Sequence, residues 1–152
     1  MKHLLVLFSL FILSPAISLA SDNGMINKKS QFSVKVTLDR LENVLRKKGI
    51  TIVTRWSHHG GAKKVGIPLR PTELLIFGNP KMGSHFFTSK QTAGIDLPMK
   101  ALAWKDKKGQ VWLTYNDPAY IANRHAINDR PEIEKKMTFA LNNLTNVATG
   151  NK

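Results

Sequence analysis

The chain has 152 residues, 42% of them hydrophobic and 22% charged, the size and mix of one folded domain, which excludes a multidomain machine. Its 23 Lys and Arg against 10 Asp and Glu give a formal charge of +13, so anionic molecules or surfaces are its natural counterparts. There is no cysteine, which excludes a disulfide scaffold, a thiolate-held iron–sulfur cluster, a four-cysteine zinc site and a cysteine nucleophile.

Residues 1–20 have the pattern of a cleaved signal peptide. Met1-Lys2-His3 is the positive start, Leu4 to Leu13 is apolar apart from Ser9, and Ser18-Leu19-Ala20 puts small residues where a signal peptidase reads, so cleavage is expected after Ala20. The apolar run is shorter than the roughly 20 residues that span a bilayer, and Pro15 interrupts it, so no stable membrane span is expected after cleavage. The expected location is periplasmic or secreted. Cleavage removes one lysine, Lys2, and leaves the mature chain strongly basic. Ser21 to Ser30 is polar, is broken by Gly24, and reads as a flexible lead-in to a domain over residues 31–148.

Phe32, Val34 and Val36 alternate with Ser33, Lys35 and Thr37, which predicts a first strand. Thr37 is then a hydroxyl N-cap, Asp39 suits the first helical turn, Leu38, Leu41 and Leu45 recur at helical spacing, and Gly49 ends the helix. Ile50 to Trp56 is a second strand. A short helical piece is expected from Ala62 to Val65, ended by Gly66. The apolar run Leu74-Leu75-Ile76-Phe77 predicts a buried strand over 73–77, terminated by Gly78-Asn79-Pro80.

Residues 81–98 carry a candidate helix from Gly83 to Gln91 and an extended bend at Asp96-Leu97-Pro98. Met99 to Trp104 and Gln110 to Tyr115 form a hairpin across Asp106-Lys107-Lys108-Gly109. Asp117 caps a short helix that Pro118 opens and that carries Tyr120, Ile121, Arg124 and His125. Pro131 opens the last helix, with Ile133, Met137, Leu141, Leu144 and Ala148 along one stripe. The sum is an α+β domain in which helices cover a mainly antiparallel sheet.

The ordered set Leu69-Arg70-Pro71-Thr72, Phe77-Gly78-Asn79-Pro80, Asp96-Leu97-Pro98 and Tyr115-Asn116-Asp117-Pro118, followed by Tyr120 and Arg124-His125, resembles the DUF302 family, the TT1751-like proteins. The resemblance spans residues 31–146. It implies a TBP-like α+β fold with a long C-terminal helix against one sheet, frequent pairing as a homodimer, and no assigned biochemical activity.

Candidate site residues follow from chemistry and from these motifs. Arg70 can hold a carboxylate or phosphate through two parallel bonds, or clamp Asp96 or Asp117 structurally. Gly78-Asn79-Pro80-Lys81 places backbone N–H groups and a lysine at a strand end, where they can cradle an anion or simply form a turn. His58 or His59 together with His125, and with Asp117 or Glu73 as an oxygen ligand, is a candidate metal set, although no recognised spacing supports it. Asn116-Asp117 beside Tyr115 and His125 has the ingredients of acid–base chemistry, but capping already explains Asp117. Trp56, Trp104 and Trp112 read as core or dimer interface.

The leading expectation is a non-catalytic periplasmic module that binds a small anionic or amphipathic ligand with His58, Arg70, Thr72, Asn79, Asn116, Asp117 and His125. No catalytic residue, metal ligand or cofactor is assigned. The alternatives are a metal-dependent protein or enzyme using His58, Asp117 and His125, and a basic structural factor that binds anionic envelope components. Nucleic acid is not an expected partner, because the basic clusters are scattered and no aromatic residues interleave with them.

Overall fold

Ser33 decides how the domain begins. Its hydroxyl accepts from the Val36 amide at 3.3 Å and caps a helix, α1, over Val34–Lys47, whose buried residues Val34, Leu38, Leu41 and Leu45 repeat at helical spacing. The strand expected over Phe32–Val36 is therefore the cap and first turn of that helix, because this longer apolar stripe outweighs a short alternation. Thr37, expected as the N-cap, is instead fully buried, donates its hydroxyl to the Ser33 carbonyl at 2.8 Å, and contacts Ser30 Oγ at 2.6 Å.

The structure, a computed structural model, describes residues 23–151. The expected signal peptide and its cleavage site lie outside them. The flexible lead-in expected over residues 21–30 is corrected in its second half: Met25–Ser30 forms strand β1. That strand pairs along its whole length with the strand Val111–Asn116, and buries Lys28 and Ser30. Its polar composition conceals it, because Lys28 folds its stem inward and delivers its ammonium to helix carbonyl and amide oxygens.

The remaining elements are β2 (Thr51–Ser57), α2 (His58–Lys64), β3 (Thr72–Gly78), α3 (Pro80–Ser89), a 3-10 turn (Gln91–Ile95), β4 (Met99–Lys105), β5 (Val111–Asn116), α4 (Pro118–Arg124) and α5 (Pro131–Thr149). The sheet runs β1-β5-β4-β3-β2 with every neighbouring pair antiparallel. Helices α1 and α5 pack on each other and on one face of the sheet. Leu75 and Phe77, Met99, Ala101 and Ala103, and Leu113 and Tyr115 point into that layer and are buried with the leucines of α1 and α5. Arg55 crosses it, donating to Asp39 of α1 at 2.6 Å and to Glu73 of β3 at 2.7 Å.

The opposite face of the sheet is richer in apolar side chains than solvent alone requires. One cross-strand row reads Trp56, Leu74, Leu102, Thr114, Asn27, and the adjoining row reads Thr72, Trp104, Trp112, Lys29. Trp104 and Trp112 stack with ring centroids 6.3 Å apart, and the Trp104 indole donates to Thr114 Oγ1 at 2.8 Å.

Candidate functional site

The strand-to-helix turn after β3 opens a cavity of about 530 Å³ between the sheet and α5. Asn79 accepts from the Lys81 amide at 3.0 Å as the N-cap of α3, and Pro80 occupies the first turn. Gly78 sits where a side chain would meet Pro98 at 3.2 Å, so the β3 end and the start of β4 close tightly below the opening. On the other wall β2 bulges: the register jumps between Ile52 and Thr54, and Val53, left unpaired by it, is 57% exposed and lines the cavity. Helix α5 supplies Met137, Ala140, Leu141 and Leu144.

The lining is overwhelmingly apolar, with Met82, Phe87, Leu97 and Met99 completing it. Its charged members are Lys48, just past the end of α1, and Lys136 on α5; no lining residue is acidic. Volume, concavity and a few polar groups on an apolar wall are the usual attributes of a small-molecule site. Such a wall removes a hydrocarbon chain from water while the lysines favour a negatively charged head group.

The residues expected to bind ligand do not converge. Asn79 alone among them lines this cavity, with its side-chain oxygen committed to the cap. His58 is exposed at the start of α2, Arg70 is exposed and donates to the Lys105 carbonyl at 3.0 Å, and Thr72 pairs with Trp104. These three lie at the end of the sheet away from Asn116, which pairs with Met25. Asp117 accepts from the Ala119 amide at 3.0 Å as the cap of α4. Arg70 therefore clamps neither Asp96 nor Asp117. Among the described residues, no group of three or more His, Asp or Glu side chains is placed to hold a metal ion, so His58, Asp117 and His125 do not form the candidate set. The histidine that is built into the fold near β3 is His59, whose Nδ1 lies 3.1 Å from the Thr72 carbonyl oxygen.

His125 does have a carboxylate partner, and it is Asp96. The imidazole Nε2 lies 2.7 Å from Asp96 Oδ2, with both side chains nearly buried, and Arg124 reaches the other carboxylate oxygen at 3.3 Å. Nδ1 lies 3.0 Å from the Thr92 hydroxyl. The chain Thr92–His125–Asp96 joins the 3-10 turn, the approach to β4 and the end of α4, outside the cavity lining. Lys100 donates to the Asp96 carbonyl at 2.8 Å; burial lowers its pKa, and the Asp96 charge opposes that shift. The sequence offers Asp96 as a partner for Arg70 and not for His125, because the pair joins segments 29 residues apart that no local pattern brings together.

Comparison with known proteins agrees with the architecture. A family described as "Domain of unknown function DUF302" matches residues 26–144. Curated relatives named fluoride-specific ion channel FluC 1, from Brucella suis and Brucella abortus, are each 40% identical over 137 residues, covering 90% of this chain and 54% and 51% of theirs. The chain thus spans about half the length of the curated relatives it matches. The crystal structure of an uncharacterized conserved DUF302 protein from Bacillus stearothermophilus superimposes with a TM-score of 0.74 at 17% identity, covering 82% of this chain and 98% of that one. No described helix is long and apolar enough to cross a membrane.

Proposed function

The chain belongs to the DUF302 family, a family described only as a domain of unknown function, and from that premise we propose that it is an exported, non-catalytic binding protein for a single-chain amphipathic anion. The observation that carries this reading is the cavity between β2, α3 and α5, lined mainly by apolar side chains, with Lys48 and Lys136 as its charged members and no acid. An acyl chain gains from such a wall in proportion to the methylenes it buries, about 0.8 kcal/mol each, or roughly fourfold in affinity per methylene. The head group contributes selectivity of sign through the two lysines rather than most of the affinity.

The signal-like pattern of residues 1–20 supports an extracytoplasmic setting, where envelope amphiphiles supply ligands of this class. In the Brucella relatives a segment of this kind shares a chain with a protein named for fluoride conduction. Fluoride itself does not suit this cavity: a small, strongly hydrated anion needs converging donors, and the wall offers hydrocarbon.

Titration calorimetry with delipidated protein tests the reading. Dodecanoate is expected to bind, acetate is not, and dodecyltrimethylammonium is expected to bind at least tenfold more weakly than dodecanoate. Ala140→Trp, which fills the cavity from α5, is expected to abolish binding. Equal affinity for the cationic amphiphile, or undiminished binding by the filled variant, overturns the proposal.

A further inference from the structure

The segment between α2 and β3 is built as a rigid apolar tip with basic shoulders. Helix α2 ends in a Schellman arrangement: Gly66 adopts φ +74, its amide donates to the Lys63 carbonyl at 3.1 Å, and the Ile67 amide donates to the Ala62 carbonyl at 3.0 Å. The C-terminal end is tied as firmly, since the Lys105 amide donates to the Pro71 carbonyl, and Arg70 donates to the Lys105 carbonyl, each at 3.0 Å. Around and between these ties Val65, Ile67 and Leu69 stand 71%, 59% and 46% exposed. In a Schellman cap the residue in the position of Ile67 ordinarily folds back onto the helix. Here it faces solvent.

Charge surrounds the tip. Lys63, Lys64 and Arg70 flank it in sequence, and the bonds between Arg70, Pro71 and Lys105 bring the β4–β5 hairpin, with Lys105, Lys107 and Lys108, alongside. No acidic residue occurs between His58 and Thr72. The hairpin's own carboxylate, Asp106, is turned to internal use: it accepts from the Lys108 and Gln110 amides and from the Trp112 indole. Trp56, 59% exposed, stands just before α2.

We propose that this end of the sheet is a docking surface for an anionic phospholipid bilayer, with Ile67 and Leu69 entering the headgroup–acyl boundary and the lysines meeting lipid phosphates. Exposed apolar side chains ringed by Lys and Arg are the signature of interfacial binding, in which burial and electrostatics each contribute a part. The two backbone ties fix the tip before it meets the membrane, so little ordering entropy is lost on docking. This surface shares no residue with the cavity, and the proposal stands independently of the amphiphile-binding reading.

Flotation of the purified protein with vesicles tests it. Binding is expected to vesicles of phosphatidylglycerol and phosphatidylcholine, to fall with added salt, and to be at least tenfold weaker with phosphatidylcholine alone. Ile67→Asp with Leu69→Asp is expected to lower partitioning at least tenfold with the thermal transition unchanged. Lys63→Glu with Lys64→Glu is expected to lower it more than tenfold, since each basic residue near a charged surface contributes about fivefold. Ile67→Trp is expected to retain binding and to show a blue-shifted emission quenched by brominated lipid, whereas the cavity-filled Ala140→Trp protein is expected to bind vesicles like the parent. Equal binding to neutral vesicles, undiminished partitioning of the Asp variant, or an indole at position 67 that stays in water overturns the proposal. So does a shift of the Asp variant from dimer to monomer in sedimentation with vesicle binding intact, which assigns the patch to a second copy of the chain.

Discussion

Lys28 makes stability depend on pH in a direction opposite to that of most surface lysines. Its ammonium is enclosed between β1 and α5, donating to the Asn142 carbonyl and side-chain oxygens at 2.8 and 2.7 Å and to Asn146 Oδ1 at 2.6 Å, with no carboxylate among these partners. Burial lowers its pKa from 10.5 to about 8. Between those values the unfolded chain holds the proton that the folded chain releases, so unfolding free energy rises with pH. From pH 7.5 to 9.5 the linkage amounts to at most about 2 kcal/mol, and the hydrogen bonds made by the charged form trim it, for an expected gain of about 1–2 kcal/mol. Above pH 10 Tyr115 works the other way: burial raises its pKa, so the unfolded chain loses its phenolic proton first and stability falls. Lys100, also lowered by burial, adds to the rise in the parent protein. The difference between the parent and Lys28→Met therefore isolates Lys28. Urea unfolding at pH 7.5 and 9.5, followed by circular dichroism, is expected to show the parent gaining more stability than the variant by about 1–2 kcal/mol. Equal gains in both proteins would refute the assignment of the depressed lysine.

Two further outcomes test the polar framework. Asp96→Ala strips His125 and Arg124 of a shared, nearly buried acceptor and is expected to cost about 2–3 kcal/mol, whereas Asp117→Ala removes only a helix cap and is expected to cost about 1 kcal/mol; denaturant midpoints that reverse this order contradict the roles given to the two carboxylates. Arg55→Met leaves Glu73 and Asp39 without their common partner between α1 and β3 and is expected to cost about 1–3 kcal/mol, read from thermal and urea transitions, and a variant as stable as the parent excludes this cross-link as a structural tie.

Much of the fold is legible in local pattern. The runs Ile50–Trp56, Glu73–Phe77, Met99–Trp104 and Gln110–Tyr115 fall within a residue of β2, β3, β4 and β5 at each end, because each is short, apolar and bounded by turn residues. Pro118 and Pro131 mark the starts of α4 and α5 for the steric reason the sequence suggests. The errors gather where a side chain does something unusual for its type. Lys28 is polar on paper and buried in the fold, which hid β1; Val34 and Val36 alternate over too few residues to resist the helical stripe that continues to Leu45. The site was less legible, since it depends on contacts between distant elements. The cavity arises from a β-bulge at Val53, a capped turn at Asn79 and the face of α5, and no local pattern brings these together. Motif residues such as Arg70, Asn116 and Asp117 stand out in sequence, and each is committed to a turn, a strand end or a cap.

Methionine methyl groups offer the most direct test of the amphiphile site. Met82, Met99 and Met137 line the cavity, whereas Met25 belongs to the edge strand β1 and does not. In spectra of protein labelled at the methionine methyl carbon, added dodecanoate is expected to shift the Met82, Met99 and Met137 resonances together, saturating at one equivalent, and to leave Met25 in place. No shift at those three positions, or an equal shift at Met25, would contradict the claim that this cavity is the binding site.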